Sequence, residues 1–188
     1  MKLGLQLGYW QAQMPTHHGD LVQAADESGF DAIFTAEAWG SDAFTPLAWW
    51  GRETSNVRLG TSIVQMSGRT PTSIAMHALT LDHLSGGRLV LGMGVSGPQV
   101  VEGLQGVPYK YPLGRLKETV EIIRMGFKGE KIRYEGKRFT LPLPDGEGKA
   151  IRLDQAASAE EALLHDLKKN IARSEQGVAT ALDKFQTN

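Results

Sequence analysis

From Lys2 to Phe127 the chain alternates four times between a short apolar run of strand type and a segment with helical periodicity. "KLGLQLGY" (Lys2–Tyr9) precedes Asp20–Ser28, where Leu21, Ala24, Ala25 and Ser28 recur at helical spacing until Gly29 stops the helix. "FDAIFTAE" (Phe30–Glu37) precedes a helix over Phe44–Thr54. "VRLGTSIVQ" (Val57–Gln65) precedes Pro71–Leu84, which opens on a proline suited to a first turn and ends at Gly86-Gly87. "RLVLGMG" (Arg88–Gly94) precedes Leu113–Phe127, with Leu116, Val120, Ile123 and Phe127 on one stripe. This alternation predicts right-handed βα units on a parallel sheet, an α/β fold with four such units.

The pattern then changes. "KIRYEGKRFTL" (Lys131–Leu141) reads as a β-hairpin around Glu135-Gly136, and "PLPDGEGK" (Pro142–Lys149) as a loop. From Ser158 to Phe185 the apolar residues Leu164, Leu167, Ile171, Val178, Leu182 and Phe185 predict an amphipathic C-terminal helix. Its stripe packs either on its own domain or on a second copy. The expected organisation is a βα domain over residues 1–150, with the hairpin inserted at 131–141, and a linker and helix over 151–188.

Charge narrows the partners. With 20 Lys+Arg against 21 Asp+Glu, the chain lacks the basic footprint that nucleic acid or an anionic membrane demands. A small molecule or a protein is the expected partner. Cysteine is absent, which removes disulfides, thiolate metal sites and cysteine nucleophiles. No apolar run reaches the roughly 18 residues of a membrane span, and "MKLGLQLGYW" has no signal-peptide core, so the expected location is the cytoplasm.

The stretch "RLVLGMGVSG" holds a G-x-G-x-x-G at Gly92, Gly94 and Gly97 directly after a strand. A dinucleotide site needs a strand ending in an acidic residue about 20 positions later. The next segment, "PQVVEGLQGVPYKYPLGR", contains no such strand. The glycines still permit close approach of a ligand at the C-terminal end of a parallel strand, where α/β folds place their sites.

"LDHLSGGRLVLGMGVSGPQVVEG", "LGTSIVQMSGRTP" and "GFDAIFTAEAWGSDAFTPL", all within residues 1–150, resemble the bacterial luciferase-like oxidoreductases, and most closely their coenzyme F420-dependent class. The resemblance implies a TIM-barrel fold, a cofactor at the C-terminal strand ends, and hydride transfer between F420 and a small organic substrate. The alternative cofactor is FMN, in a monooxygenase. It also implies a cis peptide between Ser62 and Ile63, under the cofactor ring, where the bare residues would allow an ordinary buried strand. Glu37 and Trp39, in "EAWGSD" (Glu37–Asp42), would face the ring and substrate, and are the catalytic candidates. Some sugar-phosphate dehydrogenases of the family carry an acidic residue followed by histidine there; here Ala38 follows Glu37, which removes that base. Trp39 and Trp10 are pocket walls or core residues. Gly94, Val95, Ser96 and Gly97 would present backbone N–H groups and a hydroxyl to the cofactor. Arg69 adds charge there or is simply solvated.

His17 and His18 fall in the first βα connection, as titrating groups on the site side or as solvated cap residues. His77 and His83 lack metal-ligand spacing, and no metal is assigned. No serine elbow or phosphate-binding P-loop is present.

A complete barrel needs eight βα units and about 250 residues. Four units make a half-barrel with open edges, which predicts a homo-oligomer through the open edge or the C-terminal helix, capping of the open core by that helix, or a truncated chain. In the last case the protein is a non-catalytic binding or assembly module.

Overall fold

The computed structural model describes residues 2–157. The expected helix over Ser158–Phe185 lies outside the described residues. In chain order the elements are β1 (Gly4–Gly8), α1 (His18–Glu27), β2 (Ala32–Thr35), α2 (Phe44–Gly51), β3 (Arg58–Thr61), β4 (Val64–Gln65), α3 (Pro71–Ser85), β5 (Leu89–Val90), β6 (Met93–Gly94), α4 (Pro98–Val101), α5 (Pro112–Phe127), β7 (Tyr134–Glu135) and β8 (Thr140–Leu141).

Strands β1, β2, β3 and β5 form one parallel sheet in that order, and β4 pairs with β6, also parallel. Within this sheet the strands follow chain order, β5 lying beside β3 because β4 pairs separately with β6, the arrangement by which a barrel wall grows. Among the described residues the sheet is open, with β1 and β5 at its edges.

The in-register row Leu5, Ile33, Leu59 and Leu89 packs under the helices. Ile33, Leu59 and Leu89 are buried there with Leu47, Ile74, Ala78, Ile123 and Phe127. Removing this apolar area from water at about 25 cal/mol per Å² is the main force that closes helices on sheet. The opposite row, Gln6, Phe34, Gly60 and Val90, faces away from the helices; Gln6 and Phe34 are half-buried or more exposed.

Two strands expected to be continuous are each broken in two. Gly60 pairs with Val90 and Val64 with Met93, so residues 61–63 on one strand face only 91–92 on the other. One extra residue between paired positions is a β-bulge, and a bulge interrupts the ladder. The Thr61 side chain repairs the gap: Thr61 Oγ1 donates to Gly92 O and accepts from Gly92 N, both at 2.8 Å. Gly92 has to be glycine, because a Cβ there would sit 2.2 Å from Thr61 O.

Helix α3 keeps its expected ends. Thr70 Oγ1 accepts from Ser73 N, Pro71 occupies the first turn, and Gly86 closes the helix at φ 68°. Helix α2 stops at Gly51, short of the expected Thr54, because Arg88 takes the carbonyls at and beyond its end. The guanidinium donates to Gly51 O (2.8 Å), Thr54 O (3.0 Å) and Val57 O (2.9 Å). Spacing along α2 carries no trace of a residue that arrives from the start of β5. The short α4 is an element that periodicity missed, as is usual for a single turn.

The hairpin forms as expected, with strands shortened to β7 and β8. Residues 151–157, the start of the stretch read as a linker, run back along the helices: Ile132 N donates to Ile151 O, Ala157 N to Phe127 O, and Leu153 packs on the core. No helix among the described residues is long and apolar enough to cross a membrane.

Candidate active site

The connections that leave β1, β2, β4 and β6 converge at the C-terminal edge of the sheet. The centre is the bulge, where the Ser62–Ile63 peptide is cis, as the family resemblance implies. Both flanking strands hold it. Ser62 N donates to Thr35 O (2.6 Å), and Glu37 N to Ile63 O (3.3 Å). On the other side Val64 N donates to Gly92 O (2.9 Å) and Met66 N to Gly94 O (3.2 Å). Ser62 is exposed and Ile63 half-buried.

The glycine turn lies against the bulge. A Cβ on Gly94 would come within 3.0 Å of Ile63 Cδ1, so Gly94 lets the two segments touch. Val95, Ser96 and Gly97 continue the turn, half-buried, with Ser96 at φ 56°. Tyr109 donates its hydroxyl to Ser96 O at 3.1 Å and holds that backbone conformation. At Gly97 a Cβ would meet no protein atom within 4 Å.

Glu37 is tied down. Its Oε1 accepts from Gln65 N (2.7 Å) and Arg69 Nη1 (2.6 Å), and its Oε2 accepts from Ala43 N (3.2 Å). With the side chains of Glu37 and Arg69 only 8% and 19% exposed, this ion pair is shielded from bulk water. The alternative of a solvated Arg69 is therefore corrected: the guanidinium is held by Glu37 and packs over Phe44, 5.7 Å from the ring centre. Glu37 joins the end of β2 to β4 and to the start of α2, and both its oxygens already accept hydrogen bonds. Asp42 caps α2 through Phe44 N (2.8 Å) and Thr45 N (2.9 Å).

The β1 side is aromatic. Trp39 is 65% exposed and meets Tyr9 edge-on at 6.1 Å. Trp10 is half-buried and packs edge-on against the buried Trp50, also at 6.1 Å, while its backbone N–H donates to Ser41 Oγ. His18 opens α1 with its ring 5.4 Å from Trp50 and its Nδ1 buried without a partner among the described residues. Partial burial lowers its pKa from the ordinary histidine value. His17 is exposed, 3.9 Å from Asp20. His77 bonds Ser73 O within α3 and His83 bonds Ala156 O, so neither joins the site.

Glu37, Ser62, Ile63 and Gly94 are thus brought together at the bulge, Val95 to Gly97 extend from it, and Trp39 lies toward β1. Sequence reasoning missed Thr61, Gln65 and Tyr109. Gln65 is buried, donates Nε2 to Ala38 O (2.8 Å), and leaves Oε1 without a partner among the described residues, as does the buried Ser67 Oγ. A polar residue inside the apolar run "SIVQM" was the available signal. Tyr109 gave none, because its contact crosses a loop.

The sequence profile of the luciferase-like monooxygenase family matches residues 4–164. A putative coenzyme F420-dependent oxidoreductase of Mycobacterium tuberculosis is 59% identical over 157 residues, which cover 81% of this chain and 45% of that protein. An F420-dependent glucose-6-phosphate dehydrogenase of Nakamurella multipartita is 36% identical over 137 residues, covering 66% of this chain and 40% of its own length. Among solved structures, a riboflavin lyase holding a modified FMN superposes with a TM-score of 0.71 at 16% identity, over 85% of this chain and 48% of the other. The chain spans less than half the length of the curated relatives it matches. On the profile match and the 59% identity, the chain belongs to the luciferase-like monooxygenase family.

Proposed function

We propose that the protein is an F420-dependent oxidoreductase that transfers hydride between the deazaflavin and a small organic substrate. The carrying observation is the contact between Ile63 in the bulge and Gly94 in the glycine turn, two motifs far apart in sequence that meet as one surface. The residues present fit a planar cofactor with an extended polar tail. Gly97 leaves open space where any other residue would place a Cβ, and Gln65 Oε1 and Ser67 Oγ are buried acceptors without partners among the described residues.

On this reading Ser62, Ile63 and Gly94 contact the ring, and Val95, Ser96 and Gly97 offer backbone N–H groups to the tail. When bound, the deazaflavin supplies two-electron hydride chemistry. The chain's part is to hold ring and substrate in reacting geometry and to exclude water. Glu37 acts as a positioning residue, since its carboxylate fixes β2, β4 and α2 relative to one another. Trp39 forms the substrate wall.

Titration with F420, followed by its fluorescence with FMN as competitor, tests the reading. Saturable micromolar binding of F420, weakened at least tenfold in Gly97→Val, supports it. Gly97 has φ −131° and ψ 167°, extended backbone that valine also adopts, so the variant obstructs the ligand without crowding the protein. Preferential FMN binding would assign the monooxygenase chemistry instead. Binding of neither would leave a non-catalytic assembly module.

A further inference from the structure

On the connections after β1, β2 and β4 the ionisable groups are already engaged. Glu37 pairs with Arg69, Asp42 caps α2, His17 faces Asp20, and His18 packs half-buried against Trp50 with its pKa lowered. Beyond the glycine turn the charge is mixed: Glu102 accepts from Tyr109 N at 2.9 Å, and Arg115 lies over the Phe139 ring of the hairpin. The β1–β2 side offers aromatic surface instead: the exposed face of Trp39, with Tyr9 edge-on behind it and Trp10 beside Trp50.

We infer that this aromatic wall receives a neutral, ring-bearing part of the substrate, such as an aromatic ketone or its alcohol, with no phosphate or carboxylate on that side. The inference deepens the proposed function and rests on it. An anion pressed against Trp39 would lose hydration and find no unpaired cation on these three connections, whereas a neutral ring gains stacking and apolar burial.

The test uses the purified chain, with and without F420, titrated calorimetrically with acetophenone and separately with glucose 6-phosphate. The expected result is saturable acetophenone binding, no heat from the sugar phosphate, and a roughly three- to tenfold loss of acetophenone affinity in Trp39→Ala. Trp39 is exposed, so that variant keeps the fold, which circular dichroism checks. Glucose 6-phosphate binding as well as acetophenone, or acetophenone affinity unchanged in Trp39→Ala, would overturn the inference. F420 binding measured in the same samples separates the two ideas. Binding of F420 without acetophenone overturns only the substrate class. Trp39-dependent binding of acetophenone without F420 supports the wall and overturns the cofactor reading, and binding of neither overturns both.

Discussion

Replacing Thr61 with valine removes one oxygen and keeps the shape of the side chain, and the consequences can be counted. In the native protein Oγ1 donates to Gly92 O and accepts from Gly92 N, both at 2.8 Å, at a residue only 2% exposed. Gly92 O keeps a second donor, Val64 N at 2.9 Å. Gly92 N–H is left buried without an acceptor, and that dominates the cost. A buried orphaned donor together with a lost hydrogen bond amounts to about 2–3 kcal/mol. For a chain of this size that corresponds to a fall in melting temperature of roughly 4–12 °C. Thr61→Ser keeps the oxygen and loses a methyl, for about 1 kcal/mol. Urea denaturation followed by circular dichroism measures both against the native chain. If Thr61→Val stays within about 0.5 kcal/mol of the native protein, or Thr61→Ser is equally damaging, the hydroxyl does not bridge the broken ladder.

The site supplies two further predictions. Glu37→Gln should destabilise the fold by about 2–4 kcal/mol, because Arg69 loses its partner in a shielded setting and the new amide opposes the N–H of either Ala43 or Gln65. The double change with Arg69→Met should lose less than the sum of the singles, and strict additivity in that cycle would contradict a coupled pair. His18 has a folded pKa lowered by burial, so its contribution to stability is complete above its unfolded pKa near ~6.5. Below that value the unfolded chain binds the proton more readily, and stability falls until the folded pKa is reached. His18→Phe should flatten the difference in urea midpoint between pH values of about 7.5 and 5, and an unchanged pH slope would count against the lowered pKa of His18.

The periodic elements were legible because they are local. Helix α3 shows how completely: the Pro71 start and the Gly86 stop are properties of neighbouring residues, and the structure keeps both. The opposite case is α2, whose end is set by Arg88 from another strand, so it could not be read along the chain. The candidate site divides in the same way. Ser62, Ile63 and the Gly94–Gly97 turn were identifiable as motifs. The fixed role of Glu37 was not, since its partners Gln65, Arg69 and Ala43 come from separate places along the chain.

The sequence by itself determined the βα alternation, the polarity of each helix and the family motifs, because these depend on side-chain period and on glycine and proline at fixed offsets. Only the tertiary structure decided the rest. One extra residue in the third strand breaks its ladder with the fourth, and Thr61 fills the gap. Burial turns Arg69 from a surface charge into the partner of Glu37, and packing sets the half-buried His18 ring against Trp50. Register and burial are set by residues that meet only after the chain has folded, so no window along the sequence contains them.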